Sequence, residues 1–249
     1  VMASDSRFPI VGIGASAGGL RALEQFFQAV PADLGMAFVI ITHLAPDRES
    51  FLTDILARHP SLTVHVASEG QKVEPNSIYV LPPNASLTIE GRTLRLHQIE
   101  HGHAERSPVD VFFSSLAQDC GEYAVGVVLS GSGSDGVLGI KAIKEQGGLV
   151  LAQSSDGTQP SFTGMPDSAI ASGLVDYAVP VEDMAAKLSE NSQTIGLVDA
   201  LAESGAGQGD HPDAKSIEML YASLRSQLGH DFSGYKKRTF IRRVHRLMQ

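Results

Sequence analysis

The sequence predicts an α/β protein: a doubly wound, mostly parallel sheet with helices on both faces, followed by a small C-terminal helical segment. Three observations predict it. Short apolar runs alternate with amphipathic stretches at helical spacing. Most of those runs are unbroken rather than alternating, as in strands covered on both faces. Glycines or turn residues separate each run from the next stretch, as in strand–helix units.

Taken in order, residues 9–15 are an apolar run ending in glycines, a buried strand. In "GLRALEQFFQA" (19–29), Leu20, Leu23, Phe26 and Phe27 fall on one helical face. "MAFVIIT" is a second buried strand, ending at Thr42-His43. "SFLTDILARH" is a helix with Ser50 as N-cap. "SIYVLP" is a strand. "SLTIEGRTLRLH" alternates around Glu90-Gly91 and reads as a hairpin. "SPVDVFFSSLAQDC" is a helix with Pro108 in its first turn. "YAVGVVLSG" is a strand, and "GVLGIKAIKEQGG" a helix stopped by glycines. "LVLAQ" (strand), "MPDSAIASG" (helix), "VDYAVP" (strand) and "VEDMAAKLSEN" (helix) complete the set.

Composition narrows the class. The chain has 249 residues, 43% of them hydrophobic, an ordinary globular balance. No apolar run reaches the roughly 18 residues that a membrane span needs, and no secretory signal opens the chain, so membrane insertion is not expected. A net charge of −9 argues against nucleic acid as a partner. The single cysteine, Cys120, rules out an internal disulfide framework and suits a reducing cytoplasm. It reads as a buried apolar residue, not a nucleophile. The charge is uneven: "KKRTFIRRVHR" (236–246) carries six Lys or Arg and no acid.

In a doubly wound sheet, chemistry sits at the carboxyl ends of the strands. The first strand delivers Ser16 within Gly14-Ala15-Ser16-Ala17-Gly18, the second delivers His43, and "VGVVLSG" leads into Ser130–Gly136 with Asp135. A serine hydroxyl is a weak nucleophile; His43 would take its proton, and Asp135 would orient the imidazole and stabilise its cation. Ser16 also precedes a helix N-terminus, where backbone N–H groups can receive an oxyanion. The competing reading makes Gly12, Gly14 and Gly18 a dinucleotide loop. That loop needs an acid at the end of the second strand, where His43 stands instead, and its spacing is G-x-G-x-x-G, not the G-x-G-x-x-x-G found here. An α/β-hydrolase is disfavoured because its triad runs Ser, acid, His. The plainest reading treats the glycine turns as tight connections and Ser16 as a helix cap; three triad residue types at three strand ends weigh against it.

"GIGASAGG", "ITHLAPD", "VLSGSGSDG" and the "GMP" of Gly164-Met165-Pro166 occur in an order that resembles the bacterial chemotaxis protein-glutamate methylesterase (CheB-type) catalytic domain, from about Phe8 to Asn191. The resemblance implies a cytoplasmic serine hydrolase that demethylates glutamate methyl esters on chemoreceptors, releases methanol, and also deamidates receptor glutamines. It implies Ser16 as nucleophile, His43 as base and Asp135 as acid, with backbone oxyanion donors at Ala17 and Ser132. Ala17 stands where the family often has Thr, and Ser132 where it has Met. The methylated receptors are the implied partners, and no cofactor or metal is implied. A non-catalytic domain that keeps the fold and binds receptors or signalling partners is the alternative; the complete triad favours the enzyme.

Residues 8–191 are thus expected to form the catalytic domain. "LAESGAGQGDHPDAK" is glycine-rich and polar, which suggests a linker over 192–214. Residues 215–249, including "YASLRSQLGHDFSGYKKRTFIRRVHRLM", resemble the helical N-terminal segment of the CheR-type receptor methyltransferases, so the chain reads as the front of a methylesterase–methyltransferase fusion. The basic stretch reads equally as a solvated helix face or a site for an acidic partner. Glu203–Gly209 imitates the E-x-G-x-G-x-G loop of S-adenosylmethionine enzymes, but "TIGLVDALA" before it reads as helix or irregular chain, not the strand such a loop needs. His97, His101, His103 and Glu105 fit no compact ligand spacing and read as a solvated loop after the hairpin.

Overall fold

The computed structural model describes residues 7–31, 34–42, 52–57, 59, 61–98, 107–156 and 159–204. The chain divides into two units, residues 1–189 and 190–249. The first holds a seven-stranded sheet in the order β3-β4-β2-β1-β7-β8-β9. Its strands are β1 (Ile10–Ala15), β2 (Ala37–Thr42), β3 (Thr63–Val66), β4 (Ser77–Val80), β7 (Ala124–Val128), β8 (Leu149–Gln153) and β9 (Tyr177–Val179). Every pairing is parallel. The helices are α1 (Gly19–Ala29), α2 (52–56), α3 (Pro108–Cys120), α4 (Val137–Glu145), α5 (Gly164–Ala171) and α6 (Met184–Ser204).

The two faces of β1 are built differently. Val11, Ile13 and Ala15 lie in one buried cluster with Leu23, Phe26 and Phe27 of α1 and Met184 and Leu188 of α6. Phe26, Phe27 and Phe38 meet there edge to face. Gly12 and Gly14 occupy the alternate positions, and α3 lies directly on them. A Cβ at Gly12 would stand 2.8 Å from Phe113, and one at Gly14 only 2.5 Å from Val109. Gly126 of β7 continues the row, 2.8 Å from Ile143 and 3.3 Å from Phe113 by the same measure. Two of the three glycines that invite a phosphate-loop reading, Gly12 and Gly14, are therefore strand residues occupied in packing a helix.

The expected hairpin is β5 (Ala85–Glu90) with β6 (Thr93–Gln98), antiparallel and separate from the main sheet. Its two-residue turn, Gly91-Arg92, has φ of 57° and 56°, the left-handed pair that a tight hairpin uses. Glycine adopts this freely; Arg92 is held there from outside. Asp119 of α3 accepts both turn N–H groups, at 2.5 and 2.9 Å. The Arg92 guanidinium donates to the Phe8 carbonyl at 2.9 Å and lies 4.4 Å over the Phe8 ring.

Three expectations need correction. β3 has no counterpart in the sequence reading, because this edge strand is nowhere fully buried and shows no apolar run. His97 lies within β6, its Nε2 3.1 Å from Thr88 Oγ1 across the hairpin, not in the loop beyond it. Residues 192–204, expected as the start of a linker, continue α6, since nothing before Gly205 breaks the helix. Residues 205–249 lie outside the described residues, as do His101, His103, Glu105 and Ser50. Among the described residues no helix is long and apolar enough to cross a membrane, and no cluster of three or more His, Cys, Asp or Glu side chains could hold a metal.

Two outcomes are expected. Gly14→Ala should lower the unfolding free energy by about 1–3 kcal/mol through overpacking against Val109. Denaturant titration of a Gly14→Ala/Val109→Ala double variant should show a cost well below the sum of the two singles, because the shortened side chain admits the new methyl. Because a helix, not a buried strand, precedes Gly205, the Glu203–Gly209 pattern should not bind S-adenosylmethionine; micromolar binding in titration calorimetry that disappears in Gly207→Val would contradict this.

Candidate active site

β1 is the point at which the sheet is wound both ways: β2, β4 and β3 lie on one side and β7, β8 and β9 on the other. A crevice opens there, at the carboxyl ends of β1 and β7. Register aligns Gly14 with Val128, and the ladder continues past both strands. Leu129 N–H donates to Gly14 O at 2.9 Å, and Ser16 N–H to Ser130 O at 3.0 Å. Ser16 is therefore fixed by backbone pairing before its side chain makes any contact. The chain then turns sharply: Gly19 N–H reaches Ser16 O at 2.9 Å, and Gly18 has φ 75°. A side chain at Gly18 would meet Ser161, Ser130 Oγ and Phe162 at 2.6–3.2 Å, so only glycine suits the turn.

Asp135 follows β7 on a loop that ends at Gly136, φ 100°, just before α4. Both carboxylate oxygens are engaged by the N-terminus of α3: Oδ2 accepts Val109 N–H at 3.1 Å, and Oδ1 accepts Asp110 N–H at 3.0 Å. No side chain of α3's own N-cap, Ser107, performs this task. Asp135 caps the helix from 26 residues away, with its charge against the positive end of the helix. Asp110 in turn accepts Gly139 N–H at 2.8 Å, tying α4 to α3.

Ser16, Ser132 and Asp135 line one cavity of about 200 Å³ with Ala15, Ile41, Ser107, Pro108, Val109, Gly133, Ser134 and Met165. Ala17, the other expected oxyanion donor, is not among the lining residues; its N–H follows Ser16 in the chain. The N–H groups of Ser16 and Gly131 are occupied, by Ser130 O and by Phe162 O at 3.0 Å. Among the described residues, no hydrogen bond takes up the N–H of Ala17 or of Ser132. His43 directly follows Thr42, the last residue of β2 beside β1, and lies outside the described residues.

The "GMP" segment has a clear structural part. Met165 N–H donates to Gly131 O at 2.9 Å, and its side chain packs against Gly131. A Cβ on Gly164 would stand 2.8 Å from Gly133 N, so this glycine lets α5 lie on the loop that carries Ser132. Sequence reasoning missed Met165, Pro108 and Val109 as lining residues, because only the tertiary fold brings α3 and α5 to the crevice. Cys120 stands at the other end of α3 from this cavity, and burial pushes its thiol up to about 12.

The comparisons with known proteins agree with this fold. Residues 11–188 match the family described as CheB methylesterase. A protein-glutamate methylesterase/protein-glutamine glutaminase of Moorella thermoacetica is 35% identical over 181 residues, which cover 71% of this chain but only 42% of that protein. A putative enzyme of the same name from Leptospira interrogans is 32% identical over 179 residues, 72% of this chain and 92% of the relative. The crystal structure of the Thermotoga maritima CheB methylesterase catalytic domain superposes with a TM-score of 0.65 at 27% identity, covering 74% of this chain and 98% of that one. With the match running from the first strand to α6, the chain belongs to the CheB methylesterase family.

Proposed function

We propose that this chain is a serine hydrolase that demethylates glutamate methyl esters on methylated chemoreceptors. The observation that carries the reading is the shared cavity of Ser16 and Asp135 at the switch point of a CheB-family sheet. Ser16 Oγ attacks the ester carbonyl carbon while His43 takes its proton. The tetrahedral oxyanion is received by the N–H groups of Ala17 and Ser132. The C–O bond to the methoxy group breaks, His43 returns the proton, and methanol leaves. Water, deprotonated by His43, then attacks the acyl-serine and releases the glutamate carboxylate and Ser16. A glutamine side chain enters the same sequence with ammonia as the leaving group. Asp135 orients His43 and balances its positive charge.

The reading extends to the chain's later part. Residues 215–249 belong to a CheR-type methyltransferase part; the resemblance of their sequence supports this, and the protein acts in the cytoplasm.

Methanol release from methylated receptor should be abolished in Ser16→Ala; equal release from both proteins would remove the serine mechanism. Asp135→Asn should lose up to about four orders of magnitude in turnover, the scale of the corresponding change in serine proteases. The amide cannot accept both α3 N–H groups, so the same variant should also be about 1–3 kcal/mol less stable. Normal turnover in a folded, destabilised Asp135→Asn protein would reduce Asp135 to a helix cap.

A further inference from the structure

Ser130 lies two residues beyond β7, is wholly buried, and uses every polar atom it has. Its N–H donates to Gln153 Oε1 at 3.0 Å. Its carbonyl accepts Ser16 N–H at 3.0 Å. Its hydroxyl lies 2.9 Å from Ala17 O, 3.1 Å from Phe162 N and 3.3 Å from Phe162 O. A hydroxyl has one proton to give. Phe162 O is already served by Gly131 N–H at 3.0 Å. The Ser130 hydroxyl therefore donates to Ala17 O, the nearest acceptor, and accepts from Phe162 N–H.

Three peptide planes decide where the Ala17 N–H points. The plane between Ala15 and Ser16 is held by Ser130 O through Ser16 N–H. The plane between Ser16 and Ala17, which carries the Ala17 N–H, is held by Gly19 N–H on Ser16 O. N–H and C=O of one peptide unit point in opposite directions, so this bond aims the Ala17 N–H away from α1. The plane between Ala17 and Gly18 is held by the Ser130 hydroxyl. Ser130 thus fixes two of the three planes, one with its backbone and one with its side chain.

We propose that Ser130 is a positioning residue: its hydroxyl locks the nucleophile turn so that the Ala17 N–H meets the oxyanion. The inference rests on the hydrolase reading above. The same hydroxyl also couples this turn to Phe162, an exposed apolar residue whose ring would stand 3.2 Å from a Cβ placed on Gly18. Any substrate that moves the Phe162 segment therefore acts on the turn through one oxygen atom.

The test measures methanol release from methylated receptor by the full chain and by Ser130→Ala, with circular dichroism and melting to count folded protein. Losing alignment of one oxyanion donor should lower kcat per folded molecule by about 10- to 100-fold, below the 10²–10³ seen when a donor is removed outright, with KM unchanged. A boronic acid that forms a tetrahedral adduct on Ser16 should bind the variant more weakly by a similar factor, while a glutamine peptide binds as before. Should Ser130→Ala not fold, Ser130→Cys, close in size and a weaker donor, should show the same split with a smaller loss. Wild-type kcat per folded molecule, or boronate affinity unchanged, overturns the positioning role. Absence of methanol release from the unaltered chain overturns the hydrolase reading instead, so the two failures are distinguishable.

Discussion

The structure depends on how closely α3 lies on the sheet. Gly12, Gly14 and Gly126 strip the centre of one sheet face of side chains, and Phe113, Val109 and Ile143 fill the space. Glycine in a strand costs about 0.5–1 kcal/mol relative to alanine through lost chain entropy. Three such positions in two adjacent strands are a sizeable local weakness. The compensation is dense packing, since each displaced Cβ is replaced by aromatic or branched carbon. The second effect is positional. A helix lowered onto β1 and β7 has its first turn level with the loop after β7, so its N–H groups meet Asp135.

The two halves of the site are then held by different means. Ser16 is held by strand pairing carried one step beyond the strand, with Ser130 O as its partner. Asp135 is held by a helix end, through two backbone donors. Neither arrangement relies on a long side chain, whose freedom would have to be frozen out. Backbone groups do the aiming, and short side chains present the chemistry. α3 serves both its ends in this way: Asp135 receives its first turn, and Asp119 near its last residue receives the hairpin turn.

Much of the architecture was legible in the sequence. Unbroken apolar runs marked β1, β2, β4, β7 and β8, because strands covered on both faces leave no other pattern. The hairpin showed as strict alternation around Gly91. β3 was illegible because it is nowhere fully buried and its four residues carry no periodic signal. The extent of α6 beyond Asn191 was misjudged, since polar composition marks linkers and solvated helices alike. Gly12 and Gly14 were conspicuous, yet their purpose was hidden: the side chains they admit, Phe113 and Val109, lie about a hundred residues away. Ser130 was visible only as one serine among three in a glycine loop. Its contacts with Ala17 and Phe162 span 113 and 32 residues, and no local pattern encodes such distances.

The strands at the margins of the sheet carry one further consequence. β3 has four residues and β9 three, while the central strands β1 and β2 have six each. An open parallel sheet ends in two rows of unsatisfied N–H and C=O groups, which a foreign strand can pair with. Here those rows stop after a turn's length on either side. A chain docking edge to edge would gain only a few hydrogen bonds before running off the end, too few to offset the entropy of ordering it. The sheet limits its own growth by tapering, so the same layout that opens a crevice at its centre leaves little at its borders for another molecule to extend.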